Sequence, residues 1–138
     1  MPKRLHLAIL FGALAVGAVA SAPAGADPAR DAILKSFASE AGITAFSAAD
    51  GKALFQGTHS GGKPDTPSCT TCHTKDPTAM GRTRAGKSID PMAVSANPAR
   101  FTDAAKVDKW FRRNCNTVLG RECTAKEKGD VITYLSGL

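Results

Sequence analysis

Two cysteines and a histidine stand close enough together in this sequence to hold one cofactor. The segment Cys69-Thr70-Thr71-Cys72-His73 is a C-x-x-C-H motif, and the chain contains it once. Two thiols at this spacing can add across the vinyl groups of a haem, and the adjacent imidazole can coordinate the iron. The motif predicts one covalent haem c, with Cys69 and Cys72 as attachment residues and His73 as the proximal iron ligand. A thiol-redox pair or a zinc site is the alternative interpretation.

The residue on the other face of such a haem decides what the iron can do, and several candidates are open. After His73 the chain has two methionines, Met80 at seven residues and Met92 at nineteen. Met80 is too close to wrap around the haem, whereas Met92 can reach and would give a conventional electron-transfer cytochrome c. His59 precedes the motif in a glycine-containing loop and ranks below Met92. Asn114, near the end of a predicted helix, is either a helix cap or a distal residue.

The remaining cysteines, Cys115 and Cys123, directly follow that asparagine with seven residues between them. In an exported protein two such cysteines are expected to form a disulfide. It would hold the end of the helix rigid and so fix the position of a short side chain. Asn116 and Gly120 suit turns inside the closed loop.

The N-terminus has the pattern of a secretory signal peptide. Lys3 and Arg4 precede an apolar run over 7–20, and small residues at 24–26 precede Asp27. The run is shorter than the ~20 residues that span a bilayer, which predicts cleavage rather than stable membrane insertion. We expect residues 1–26 to be the signal peptide and 27–138 one mature domain in an oxidising compartment, the bacterial periplasm.

The charge of the mature chain is modest. Of the 18 basic residues, Lys3 and Arg4 leave with the signal, so 16 basic residues face 12 acidic ones and the formal charge is +4. This surplus allows weak docking to an acidic partner. The chain has no basic run or repeat, so nothing indicates nucleic-acid binding.

The elements that must position these residues are predicted to be helices, and the fold class is all-α. Ile33 and Phe37 lie on one face of a helix over 29–41, and Ser47 opens a second helix that runs to Phe55. Thr102 is expected to cap a third helix with Val107, Trp110 and Phe111 on one face. Thr124 and Glu127 form a capping box for a last helix that buries Val131, Ile132 and Leu135. The segments 57–67 and 75–100 are predicted loops, with no strand of any length.

This order of elements resembles the class I cytochromes c, in which helices pack around one covalently attached haem. Gly51 and Phe55, with Tyr134, look like the helix-crossing contact of that class. A glycine there lets two backbones approach, and the aromatic rings fill the space around it.

From about Leu54 onward the sequence resembles a narrower group, the sphaeroides haem protein family of oxygen-binding class I cytochromes c. The resemblance covers most of the mature chain and lies in four stretches: 64–73, 100–103, 113–116 and 120–123. It implies that Asn114 is the sixth iron ligand in the oxidised state and leaves on reduction. It also implies a disulfide between Cys115 and Cys123, and that Met92 is not a ligand.

The resemblance further implies a function and partners. The protein would accept electrons from a donor cytochrome, for example a di-haem cytochrome c. It would then bind a diatomic ligand, oxygen or nitric oxide, at the ferrous iron. The alternative is a plain electron carrier with Met92 on the iron. A third interpretation is an oxygen-reducing or nitric-oxide-converting enzyme, for which the sequence has no obvious proton-donating distal residue.

Overall fold

The structure, a computed structural model, describes residues 27–138 as five helices and one minimal hairpin. The predicted signal peptide lies outside the described residues. The elements in chain order are α1 Pro28–Ala41, α2 Ala48–Gln56, α3 Thr70–His73, β1 Gly81–Arg82, β2 Ser88–Ile89, α4 Ala104–Leu119 and α5 Ala125–Ser136.

Side-chain caps set where the helices begin. Asp27 caps α1 and Ser47 caps α2, each by accepting hydrogen bonds from backbone N–H groups of the first turn. The capping box of Thr124 and Glu127 is present at the start of α5, as predicted. The cap of α4 is Asp103 rather than the predicted Thr102, whose hydroxyl instead donates to the Ala99 carbonyl. A carboxylate is an equally good acceptor for the first-turn amides, so the helix begins one residue later.

The main contact of the fold is the crossing of α2 and α5. A Cβ atom at Gly51 would overlap the Asp130 carbonyl, so only glycine permits this approach of the two backbones. The Phe55 and Tyr134 rings stand beside it, with centroids 6.1 Å apart. The predicted crossing contact is therefore confirmed.

The buried apolar side chains form two clusters on either side of α5. The first joins α1 to α5 and to the start of α4; it contains Ile33, Phe37, Val107, Ala125 and Ile132. The second lies toward the C-x-x-C-H motif; it contains Phe55, Val131, Tyr134 and Leu135. Phe101 and Phe111 contact both clusters. The all-α prediction holds, and the described strands are two residues long.

Helix α4 differs from its prediction in two respects. Val107 is buried and Phe111 is half-buried, but Trp110, expected on the same face, is 51 % exposed. The helix also continues to Leu119 with Gly120 as its left-handed cap, so Asn116 lies within it and not in a turn. No helix among residues 27–138 is long and apolar enough to cross a membrane.

Candidate functional site

The C-x-x-C-H motif occupies the short helix α3 and the residue before it. Ser68 fixes the entry: its hydroxyl accepts from the Thr70 amide at 3.2 Å and donates to the Phe55 carbonyl at 3.4 Å. The motif is thereby tied to the end of α2. Gly81 of the hairpin packs on its other end, where a Cβ atom would overlap the Cys72 carbonyl.

The state of the two thiols does not fit redox or zinc chemistry. Cys69 and Cys72 are free and half-buried, and burial raises the pKa of the Cys69 thiol to about 11. A redox-active C-x-x-C pair has a lowered thiol pKa instead. Residues 27–138 also contain no group of three or more His, Cys, Asp or Glu side chains arranged to hold a metal ion, as a tetrahedral zinc site requires.

The His73 imidazole is held in the form that binds metals. Burial, and secondarily the positive charge of Arg100, lowers the pKa of His73 to about 4, so the ring is neutral near pH 7. Its Nδ1 atom is buried without a hydrogen-bond partner in the described part of the chain. Because Nδ1 is enclosed by protein atoms, Nε2 is the ring nitrogen left to face a cofactor.

The wall beside the motif is apolar. Cys69 packs against the cluster of Phe55, Tyr134 and Leu135, and Phe55 stacks obliquely on His73 with centroids 6.1 Å apart. Two reachable thiols, a neutral imidazole and a broad apolar wall fit a haem, whose iron would supply redox chemistry and ligand binding.

Asn114 lies on the inward side of α4. It comes one turn after Phe111, which packs against the same cluster as Cys69, and it is half-buried. Its side-chain amide has no hydrogen-bond partner among the described residues. The nearby Asn116 amide, by contrast, donates to the Arg112 carbonyl at 2.7 Å. Asn114 is not the helix cap, since α4 runs on for five more residues, to Leu119.

The end of α4 that carries Asn114 is fixed from two sides. A disulfide joins Cys115 to Cys123, with Cα atoms 5.6 Å apart. The loop leading to the motif packs on the same turn, and the Lys63 amide donates to the Thr117 carbonyl at 2.8 Å. Gly62 permits this approach, because a Cβ atom there would overlap the Thr117 carbonyl.

The other candidate ligands have different surroundings. Met80 is 53 % exposed. His59 is occupied by the backbone around it: Nε2 is 2.9 Å from the Leu54 carbonyl of α2, and the backbone amide donates to the Pro67 carbonyl. Met92 packs against the apolar cluster beside the motif, so it is placed as a contact of that wall.

Sequence reasoning missed two arginines that support the site. Arg100 donates to the carbonyls of Asp90 and Pro91 at 2.5 and 2.8 Å, and it lies near enough to His73 to affect its pKa. Arg30, only 2 % exposed, donates from α1 to the Arg100 carbonyl at 3.0 Å. No local sequence pattern predicts such long-range hydrogen-bond partners. The one available signal is the basic residue in the first turn of α1, where cations are unfavourable.

Comparison with known proteins agrees with this geometry. A family model described as a domain of unknown function, DUF1924, matches residues 41–135. The cytochrome c-type protein SHP of Cereibacter sphaeroides is 51 % identical over 124 residues, which cover 89 % of this chain and 95 % of that protein. Cytochrome c'' of Methylophilus methylotrophus is 38 % identical over 87 residues, 62 % of this chain and 60 % of that protein.

Solved structures give the same result. Oxidised SHP, described as an oxygen-binding cytochrome c, superimposes with a TM-score of 0.76 at 50 % identity and covers 79 % of this chain and 96 % of its own. Oxidised cytochrome c'' gives a TM-score of 0.64 at 31 % identity, over 78 % of this chain and 92 % of its own. The chain therefore belongs to the sphaeroides haem protein family of c-type cytochromes, and its cofactor is covalently attached haem c.

Proposed function

We propose that this protein is an exported monohaem cytochrome that accepts electrons and binds oxygen or nitric oxide at the ferrous iron. Cys69 and Cys72 attach the haem, and His73 is the proximal ligand. Asn114 is the sixth ligand in the oxidised state and leaves on reduction. The reduced protein is then open to a diatomic ligand, and the oxidised protein is closed.

The observation that carries this proposal is the state of the Asn114 amide. It is half-buried on the inward side of α4, without a partner in the described part of the chain, while Asn116 is satisfied within the helix. An amide that no described protein group engages is free to bind an iron atom beside it. The disulfide and the Lys63–Thr117 contact restrain the turn that follows Asn114.

The chemistry of an amide ligand suits a switch in which Asn114 binds or leaves according to the oxidation state of the iron. An amide oxygen is a hard and weak ligand, which suits ferric iron better than the softer ferrous iron. Once released, the Asn114 amide still carries both a donor and an acceptor, so it can hydrogen-bond to a small molecule in the site. A donor on the distal side is one of the features that control oxygen binding.

The relatives support both parts of the proposal. SHP is described as an oxygen-binding cytochrome c. The solution structure of cytochrome c'', 32 % identical with a TM-score of 0.62, is described as giving insights into haem-ligand detachment. We extend both properties to this chain as part of the proposal.

The second candidate function is a conventional electron carrier with Met92 on the iron. The observation favouring it is that Met92 packs against the same apolar cluster as Cys69. A thioether would hold both oxidation states and leave no site for a gas. The two functions therefore differ in a single measurable property, the openness of the ferrous iron.

The location and partner belong to the same proposal. The sequence of residues 1–26 supports export to the periplasm, and a disulfide between Cys115 and Cys123 is consistent with an oxidising compartment. Electrons would come from a donor cytochrome, for which a di-haem cytochrome c is our candidate. Whether turnover of oxygen or nitric oxide follows binding is a separate hypothesis, and we favour binding and electron transfer.

The first test is the absorption spectrum of the holoprotein, reduced without oxygen, before and after addition of carbon monoxide. A high-spin ferrous spectrum that shifts at once supports an open site. A low-spin spectrum that carbon monoxide does not change contradicts the proposal and favours Met92.

The ligand itself is tested by Asn114→Ala, with Asn116→Ala as the matched control two residues away. We expect Asn114→Ala to keep its haem but to become high-spin or water-ligated when oxidised. Asn116→Ala should retain the wild-type spectrum. An unchanged oxidised spectrum in Asn114→Ala would show that Asn114 is not the sixth iron ligand.

A further inference from the structure

The outer side of α4 carries an aromatic residue between two cations. Trp110 is 51 % exposed, and the Lys109 ammonium and the Arg113 guanidinium lie 5.7 and 5.6 Å from its ring centroid. An exposed tryptophan gains little for stability, while tryptophan and arginine are enriched in the parts of interfaces that supply most binding energy. We call Lys106, Lys109, Trp110 and Arg113 the basic aromatic surface.

The charge of this surface is mostly uncompensated. Within residues 27–138, Lys109 and Arg113 form no ion pair, and Lys106 has one exposed pair with Asp103 at 3.3 Å. The other polar side of α4 is mixed in sign, because Asp108 and Arg112 lie there among acidic and basic residues of neighbouring elements. The two sides of one helix therefore differ in the partner they can attract.

The basic aromatic surface borders the proposed sixth ligand. Trp110 and Asn114 are four residues apart on α4, so their Cβ atoms lie about 5–6 Å from each other on adjacent turns. Asn114 separates Trp110 from the inward-facing Phe111. A protein seated on Trp110 would therefore lie next to the distal side of the site.

We propose that the basic aromatic surface is the docking site for the acidic electron-donor protein. This rests on the electron-accepting part of the proposed function, and not on oxygen binding. The cations attract an acidic surface, and the exposed ring supplies apolar area to bury in the complex. A membrane is a poorer occupant, because the apolar side of α4 packs inward and one tryptophan anchors little.

The test uses flavodoxin hydroquinone as the probe, because flavodoxin is a small and strongly acidic electron carrier. In the reaction one electron leaves the flavin hydroquinone anion, giving the neutral semiquinone, and ferric iron becomes ferrous. Stopped-flow absorption of the haem follows the second-order rate. Dithionite, which needs no docking surface, serves as the comparison reductant.

The test variant is Lys109→Glu/Arg113→Glu. We expect about a tenfold or greater loss of the flavodoxin rate at low salt, within the range that electrostatic steering covers. The loss should shrink near 1 M salt, where the screening length falls to about 3 Å. Dithionite reduction and the oxidised spectrum should be unchanged. The single variant Lys109→Glu changes a residue farther from Asn114, and it should show a smaller loss of the flavodoxin rate with the same salt dependence.

The matched control is Lys35→Glu/Lys52→Glu, which makes the same change in net charge on two exposed lysines of α1 and α2. We expect it to keep most of the flavodoxin rate. Trp110→Ala should slow the reaction several-fold even at high salt, and Trp110→Phe should restore most of the rate.

Four results would overturn the proposal. They are a wild-type rate that does not depend on salt, an equal loss in the control pair, binding of anionic vesicles that requires Trp110, and a dimer in sedimentation that Trp110→Ala dissolves. The last two would assign the surface to a membrane or to a second copy. Carbon monoxide binding tests the open ferrous site separately. Failure of the docking proposal can therefore be distinguished from failure of the proposed gas-binding function.

Discussion

The link between Cys115 and Cys123 can be removed without touching the haem attachment. We consider Cys115→Ala/Cys123→Ala as the main variant and Cys115→Ser/Cys123→Ser as its companion. Both cysteines are buried, at 6 % and 8 % exposure, so serine would place two hydroxyls in an apolar position. The pair of variants separates loss of the cross-link from the burial of polar groups.

The expected magnitude follows from the short loop. The two cysteines are 8 residues apart in sequence. The chain-entropy relation for a loop of this length gives about 2.5 kcal/mol of lost unfolding free energy at 25 °C. For a domain of this size that corresponds to about 10 °C in Tm. The serine pair should lose more, by about 1–3 kcal/mol for each hydroxyl left without a partner.

The assay is urea unfolding of the holoprotein, followed by far-ultraviolet circular dichroism, with the haem-to-protein ratio measured on the same samples. We expect the ratio to stay at one, because Cys69 and Cys72 are unaffected. The reduced protein should exchange carbon monoxide faster, since the turn after Asn114 is no longer linked to the segment that precedes α5. A stability loss below about 0.5 kcal/mol, or a parallel loss of haem, would refute the reasoning.

Three further predictions concern single positions. Gly51→Ala should destabilise the holoprotein by several kcal/mol in urea unfolding, because its Cβ atom would overlap a backbone carbonyl; Gly137→Ala, whose Cβ atom would meet nothing closer than 3.6 Å, should be nearly neutral. The hydrogen bonds from Arg121 lower the pKa of Glu127 to about 2. The stability that this ionised carboxylate adds to the fold is therefore present above pH 4.5 and is lost as the pH falls toward 2. Glu127→Gln should therefore be less stable than wild type at pH 7 and similar at pH 2 in thermal melts. His59→Gln should leave the oxidised and reduced haem spectra unchanged, because that ring bonds to the Leu54 carbonyl of α2; a spectral change would make His59 a ligand candidate again.

The fold was largely predictable because its signals are local. The capping box at Thr124 and the i, i+4 pair Ile33 and Phe37 each act within one helix, and the structure has both. The cap of α4 was misplaced by one residue, since Thr102 and Asp103 are both good caps and only their tertiary surroundings separate them. Trp110 was assigned to the buried face because it lies three residues after Val107, although it is about 100° around the helix from the half-buried Phe111.

The candidate site was predictable only in part. The C-x-x-C-H motif is contiguous, so its chemistry can be read from five residues. The surroundings of His73 depend on Arg100, which comes 27 residues later, and on the long-range contact of Arg30. The surroundings of Asn114 depend on how far α4 extends, and a cap after 119 could not be separated from one after 113 on pattern alone.

The position of α5 has a consequence for the order of events during biogenesis. The helices α1 and α2 both pack on α5, which is the last helix in the described part of the chain. The wall built by Tyr134 and Leu135 therefore cannot form before α5 docks. We expect the thiols of the haem motif to be most accessible for covalent attachment before that docking step.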